Sequence, residues 1–257
     1  MPATGMYGKR GRLRTDSDTT GTRLVSPTYG RSRIRSYGGK SGDILIESQA
    51  ERLVAHMLSI DPRVVRFRPQ PFTVDLNGQR LLTTKEQVKE VLARYSQQSG
   101  PRIYTPDFGI DFTGAQQAAL EVKTDTFPGD ERYQERLNRA GGILRDYGYE
   151  LTKVVLPTNF SGPLKQNLQL LQQARRAQGC QISSAMLKRL DQLKATELTL
   201  ENVCLHLRVP LNFAPILVLA GAISFDLRRH PFHAQTPVVL AYGELEHLHL
   251  IGGLSDA

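Results

Sequence analysis

The stretch YTPDFGIDFTGAQQAALEVKTD, residues 104–125, restricts this chain more than any other. Strand side chains point alternately to two faces. Phe108, Ile110 and Phe112 are apolar, whereas Asp107, Gly109 and Asp111 are not; Leu120 and Val122 are apolar, whereas Glu121 and Lys123 are polar. A β-hairpin turning around Gly114 follows. Matching the apolar faces sets Phe108 near Val122 and Phe112 near Ala118. Opposed residues then have numbers with an even sum, so the turn holds an odd number of residues or a bulge. The same parity places Asp107 on the face of Glu121 and Lys123, at the mouth of the hairpin. Packing alone therefore converges two carboxylates and an ammonium.

Two carboxylates on one face repel each other unless a cation lies between them. Oxygen donors select a hard ion, Mg²⁺ or Mn²⁺, and the backbone carbonyl of Val122 is a further ligand within reach. Lys123 beside such an ion can orient an attacking water or stabilise charge on a phosphate. Carboxylates, a lysine and a divalent ion on a basic protein point to phosphodiester hydrolysis. Glu47 and Glu51 stand one helical turn apart on the segment ILIESQAERLVAHMLSIDP. Glu51 is either a further site carboxylate or, in the run Ser48–Glu51, the reciprocal partner of a capping box.

The charge supports a polyanionic partner. The 257 residues carry a net charge of +8, with a pI near 9.6. Residues 1–43 hold Lys9, Arg10, Arg12, Arg14, Arg23, Arg31, Arg33, Arg35 and Lys40 against Asp16, Asp18 and Asp43, which is +6 of that total. Tyr7, Tyr29 and Tyr37 lie among them. Such a basic arm with interspersed tyrosines suits DNA, through counterion release and stacking. No apolar run reaches the roughly 20 residues of a membrane span, and no secretory leader is evident. Cys180 and Cys204 are too few for a disulfide framework and read as buried thiols in a reducing cytoplasm.

Along the chain, residues 1 to about 40 read as irregular, and 44–62 as a helix with Ile46, Ala50, Leu53, Val54 and Met57 on one stripe. VVRFRPQPFTVDLNG reads as a strand that breaks and resumes, TTKEQVKEVLARYSQQSG as a Thr-capped helix stopped by Gly100. The hairpin over 103–124, a helix over PGDERYQERLNRAGGILRDYG and a strand YELTKVVLP complete an α/β core with a mixed sheet. Beyond Pro163 the helices LKQNLQLLQQARRA, SSAMLKRLDQLKA, TLENVCLHL and APILVLAGAISFDLRR precede a strand PVVLAYG. Two helices before a β-ribbon near 197–243 suggest a winged helix. Three segments result: an arm over 1–43, a nuclease-type domain over 44–160 and a helical, winged-helix-like, partner-binding domain over 164–257.

TPDF followed by EVK, with thirteen residues between Asp107 and Glu121, resembles the core motif of the PD-(D/E)xK nuclease superfamily. With ESQAE and RPQPF ahead of it, the run is similar to the TnsA family, endonuclease subunits of the heteromeric transposases of Tn-seven-like elements. The resemblance covers roughly residues 44–157 and implies a restriction-endonuclease-like core. By resemblance the catalytic set falls on Glu51, Asp107, Glu121 and Lys123, with Mg²⁺ (or Mn²⁺) as cofactor. Glu47 is a supporting residue, and Gln70 orients the site or the DNA. Residues 79–102 look like an insertion. The family cuts the non-transferred (5′) strand at transposon ends, beside a TnsB-type recombinase and a TnsC-type ATPase; some such elements are guided by CRISPR complexes. A bacterial, nucleoid-associated location in the cytoplasm follows.

Two other readings compete: a stand-alone restriction or repair nuclease, and a DNA-binding scaffold whose nuclease core has decayed. The intact Asp107, Glu121 and Lys123 weigh against decay. His230 with His233, and His247 with His249, have metal-like spacing but lack an accompanying carboxylate or thiolate cluster, so they read as surface or core histidines. No Walker loop, nucleophile elbow or dinucleotide fingerprint is present.

Overall fold

The computed structural model describes Gly21, Thr22 and residues 35–40, 42–126, 129–158, 162–176, 182–193 and 198–252. Lys9, Arg10, Arg12, Arg14, Arg23, Arg31, Arg33 and Cys180 lie outside these described residues. The chain divides into two compact units: one takes residues up to Arg52 together with Val64–Leu156, the other Leu53–Arg63 with Pro157–Gly252.

The first unit opens on a hairpin of β1 (Arg35–Gly39) and β2 (Gly42–Ile46). This corrects two expectations, the irregular run to about residue 40 and the helix start at 44. Ile44 and Ile46 are buried two residues apart, which is a strand period and not a helical one. The helix α1 (Gln49–Ile60) begins only after Ser48. Strands β3 (Val64–Pro69) and β4 (Thr73–Asp75) are separated at Gln70 and Pro71, where Gln70 has a φ of 45°. β5 (Arg80–Leu82) and α2 (Lys85–Arg94) follow. Thr84 and Gln87 cap α2 reciprocally, and the helix closes at Tyr95, ahead of Gly100. Then come β6 (Ile103–Tyr104), β7 (Phe108–Phe112), β8 (Gln117–Thr124), α3 (Glu131–Asp146) and β9 (Tyr149–Leu156).

The main sheet has the order β3-β7-β8-β9, antiparallel except for the parallel pair β8 and β9, and is therefore mixed. The fold class is α/β. A small antiparallel sheet, β5-β4-β6, stands apart from it. Residues 79–102 supply β5 and α2, where Val88 and Val91 bury against Leu82. Residues 103 and 104 belong to this second sheet and not to the β7–β8 hairpin.

Helix α3 covers the Ala119 face of β8. Its Tyr133, Leu137, Ala140, Ile143 and Leu144 share one core with Ala119, Phe72, Val74, Leu76 and Tyr104. Each such large apolar side chain contributes about 1.5–3 kcal/mol on burial. That outweighs the cost of Gly141 and Gly142, and α3 runs unbroken through both. Phe67 and Phe108 meet edge to face on the same unit's main sheet, with ring centres 6.0 Å apart.

The second unit contains the part of α1 from Leu53 onward, α4 (Leu164–Arg176), α5 (Ser184–Leu190), β10 (Leu198–Thr199), α6 (Leu200–Leu207), α7 (Ala214–Leu219), β11 (Ile223–Ser224) and β12 (Pro237–Leu240). The strands are ordered β10-β12-β11. α7 is much shorter than the apolar run APILVLAGAISFDLRR implied. Gly221 has a φ of 66°, and a Cβ there would lie 2.8 Å from Glu244 O, so the chain turns sharply and enters β11. Asn167 is buried in this unit and donates through its amide to Leu227 O and His230 O. No single helix among the described residues is long and apolar enough to cross a membrane.

Candidate functional site

The β7–β8 hairpin pairs Phe108 with Leu120 and Ile110 with Ala118. The parity is the one the alternation demands, but the register is two residues tighter than Phe108 near Val122. The turn explains the step. Phe112 N–H donates to Gln116 O at 2.9 Å, leaving three turn residues, of which Gly114 and Ala115 take φ of 89° and 65°. The ladder ends at Phe108 and Leu120, and Asp107 follows immediately, with its carboxylate on Val122 N–H, next in the chain to Glu121.

Pro106 decides what happens at that mouth. Antiparallel ladders alternate between hydrogen-bonded and open pairs. The bonded pairs are Phe112/Gln116, Ile110/Ala118 and Phe108/Leu120, so Pro106/Val122 would be next. Proline has no N–H to give. Val122 N–H turns to Asp107 Oδ2 at 2.7 Å. The Val122 carbonyl leaves the strand on the same edge, where proline offers it no ladder donor. The Asp107 carboxylate and the Val122 carbonyl thus lie on the edge that Pro106 leaves without a ladder donor.

Glu121 is 4% exposed and held from three directions. Tyr104 OH donates to Oε2 at 2.8 Å, and Tyr133 OH donates to Oε1 at 2.5 Å. Lys123 Nζ lies 2.7 Å from Oε1 and 4.9 Å from the centre of the Tyr133 ring. Asp130 caps α3 by accepting from Tyr133 N. Gly129 leaves room for the ring, since a Cβ there would lie 2.0 Å from it. Burial, then the Glu121 carboxylate, raises both phenols above their ordinary range, so both remain protonated donors.

Burial first, then the charges of Glu121 and Glu51, push the Asp107 carboxyl well above the usual carboxylate range; the Val122 N–H and Lys123 pull the other way. Glu51 therefore acts electrostatically on Asp107. Its oxygens, however, hold the start of α1: Ser48 Oγ donates to Oε1 at 2.8 Å, Glu47 N–H to Oε2 at 3.1 Å, and Glu51 N–H to Ser48 Oγ at 3.1 Å. Ser48 caps α1 through Glu51 N–H, and the Glu51 carboxylate returns to Glu47 N–H and the Ser48 hydroxyl, so Glu47 contributes through its backbone. Gln70 is buried, and its N–H donates to Asp107 O at 3.0 Å. Its carbonyl accepts from Thr22 N at 3.0 Å. Of the basic arm, Arg35 opens β1, and Lys40 Nζ donates to Val64 O at 2.6 Å.

Among the described residues no group of three His, Cys, Asp or Glu side chains is gathered closely enough to hold a metal ion. The donor set still fits a hard cation: two buried carboxylates, Asp107 and Glu121, a ladder-free Val122 carbonyl, and an Asp107 whose ionisation is opposed by its neighbours. His233 Nδ1 accepts from Gln235 N, and His247 Nε2 lies 2.9 Å from Val218 O. No protein-family model matches the chain, and no curated protein is significantly similar to it.

Sequence reasoning missed Tyr104 and Tyr133. Tyr104 opens the quoted hairpin stretch, but only the departure of β6 into a second sheet turns its hydroxyl to Glu121. Tyr133 comes from a helix 12 residues away, with no spacing signal to mark it.

Proposed function

We propose that this chain is a metal-dependent DNA endonuclease of the TnsA type, cutting the non-transferred strand at transposon ends within a heteromeric transposase. The observation that carries the reading is the Asp107 carboxylate on Val122 N–H at 2.7 Å, next to buried Glu121 and to Lys123 on Glu121, just past the Phe108–Leu120 pair where the ladder ends. Asp107, Glu121 and the Val122 carbonyl are the residues that would hold Mg²⁺ or Mn²⁺, with Glu51 adding negative charge. Such an ion supplies Lewis-acid stabilisation of a phosphate and a more acidic water. The Lys123 side chain is 28% exposed, so its ammonium can meet a phosphate oxygen or orient a water while Glu121 sets its direction. Tyr104 and Tyr133 keep the Glu121 carboxylate in one orientation. In this reading the core is of the PD-(D/E)xK kind.

The same reading assigns the basic arm to DNA. It assigns the second unit, with helices α6 and α7 ahead of the β11–β12 ribbon in the winged-helix manner, to a TnsB-type recombinase and a TnsC-type ATPase in the bacterial cytoplasm. The test is cleavage of end-labelled transposon-end DNA with Mg²⁺, with and without recombinase. Strand-specific, recombinase-dependent cutting supports the proposal. Cutting of any duplex without recombinase supports a stand-alone nuclease, and no metal-dependent cutting in either condition refutes both.

A further inference from the structure

The arrangement around Glu121 carries more than a catalytic role for the carboxylate. An ionised carboxylate offers about four lone-pair positions, two on each oxygen. Tyr133 and Lys123 take both positions of Oε1, at 2.5 and 2.7 Å. Tyr104 takes one position of Oε2, at 2.8 Å. One direction remains open, on Oε2. A carboxylate so held can bind a cation through one oxygen only, because two-oxygen binding needs a free position on each.

We propose that Tyr133 determines the metal selectivity of this site by confining Glu121 to single-oxygen coordination, and so favours Mg²⁺ over Ca²⁺. The inference rests on the nuclease reading. Mg²⁺ is bound through single carboxylate oxygens in a tight octahedron, whereas Ca²⁺ takes more ligands and accepts both oxygens of one carboxylate. A site that forbids the two-oxygen mode penalises Ca²⁺ and costs Mg²⁺ nothing. Tyr133 is built for this. Its ring packs in the core with Leu137 and Ala140, its backbone is fixed by the Asp130 cap, and Gly129 gives its ring clearance. Lys123 Nζ lies over that ring, so the same side chain also steadies the second donor to Oε1. Tyr133 is a positioning residue that acts on the ion through Glu121.

The test is calorimetric titration of the full chain with Mg²⁺ and, separately, with Ca²⁺, without DNA. Tyr133→Phe keeps the ring and removes the hydroxyl, and is expected to raise Ca²⁺ affinity relative to Mg²⁺ by about tenfold. Lys123→Met vacates the other Oε1 position and should move the ratio the same way. Tyr104→Phe leaves both Oε1 positions covered, so its ratio should shift less than that of Tyr133→Phe. Thermal melts of the three variants show that the fold persists. An unchanged ratio in both Tyr133→Phe and Lys123→Met, with Mg²⁺ still bound, overturns the selectivity role and leaves the nuclease reading standing. Binding of neither ion by the unsubstituted protein overturns the nuclease reading and the selectivity role together.

Discussion

Asp107→Asn is expected to make the protein more stable while abolishing cleavage. Burial, Glu121 and Glu51 raise the Asp107 carboxyl well above its ordinary range. The folded state then binds this proton more tightly than the unfolded chain, and stability falls as pH rises through the raised range. Wherever the group is ionised in the folded protein, its charge therefore costs the native state free energy. Asp107 and Glu121 lie close enough for the Glu121 charge to act on the Asp107 carboxyl. Two like charges at ~5 Å and an effective dielectric near 20 repel by about 3 kcal/mol. The Val122 N–H bond and the Lys123 charge offset part of this, leaving a net cost of about 1–2 kcal/mol. Asparagine keeps an oxygen for Val122 N–H and carries no charge. The variant should melt about 2–8 °C higher at pH 8. The difference should shrink as pH falls and Asp107 takes up its proton. Circular-dichroism melts in EDTA from pH 5 to 8, beside cleavage in Mg²⁺, measure both effects. A variant that melts lower than the parent at pH 8, or a difference that widens as pH falls, refutes the reasoning. Full cleavage by a folded Asp107→Asn protein refutes the assignment of Asp107 to the reaction.

Three further outcomes are expected. Lys123→Ala should lose at least ~10²-fold in cutting rate yet retain Mg²⁺ in calorimetry, because Asp107, Glu121 and the Val122 carbonyl remain; loss of Mg²⁺ binding would make Lys123 a structural part of the metal site. Removing residues 1–20 deletes Lys9, Arg10, Arg12 and Arg14 but spares Thr22, and should flatten the slope of log affinity against log salt by about three; an unchanged slope means the deleted residues do not touch DNA. Gly21→Ala should destabilise by about 1–3 kcal/mol in urea titration, since Gly21 has a φ of 63° and a Cβ there would lie 2.4 Å from Gln70 O; a neutral effect would show that the Thr22–Gln70 contact does not persist in solution.

Local periodicity made much of this protein legible. The alternation in residues 108–112 and 117–123 set which side chains share a face, because the strand period is two whatever the surroundings. Parity then placed Asp107 with Glu121 and Lys123 before any fold was known. A threonine in TTKEQ marked a helix start because capping is a contact between near neighbours, and the structure seats it at Thr84 with Gln87 as the reciprocal partner. Ser48 and Glu51 carry the same kind of signal, but the apolar stripe running back to Ile46 hides the start they mark. The sequence left Glu51 with two readings, and the geometry shows its oxygens on the cap while its charge reaches Asp107. The short β2 was lost to the helical pattern that follows it, since Ile46 fits both periods and only its pairing with Arg35 decides between them.

What the amino-acid order determined by itself was therefore the identity and facing of the polar groups, through rules that act over a few residues. Tertiary structure decided how those groups are held. The hairpin's step depends on the positive φ of Gly114 and Ala115, a turn geometry that face matching does not specify. That the Val122 carbonyl meets no ladder donor depends on Pro106, which precedes the paired strand and has no N–H. The two hydroxyls on Glu121 come from residues 12 and 17 positions away, delivered by the burial of α3 on the sheet and by the pairing of β6 with β4. Hydrophobic burial is non-directional, so no local pattern announces which tyrosine will end above which carboxylate; only the packed chain does.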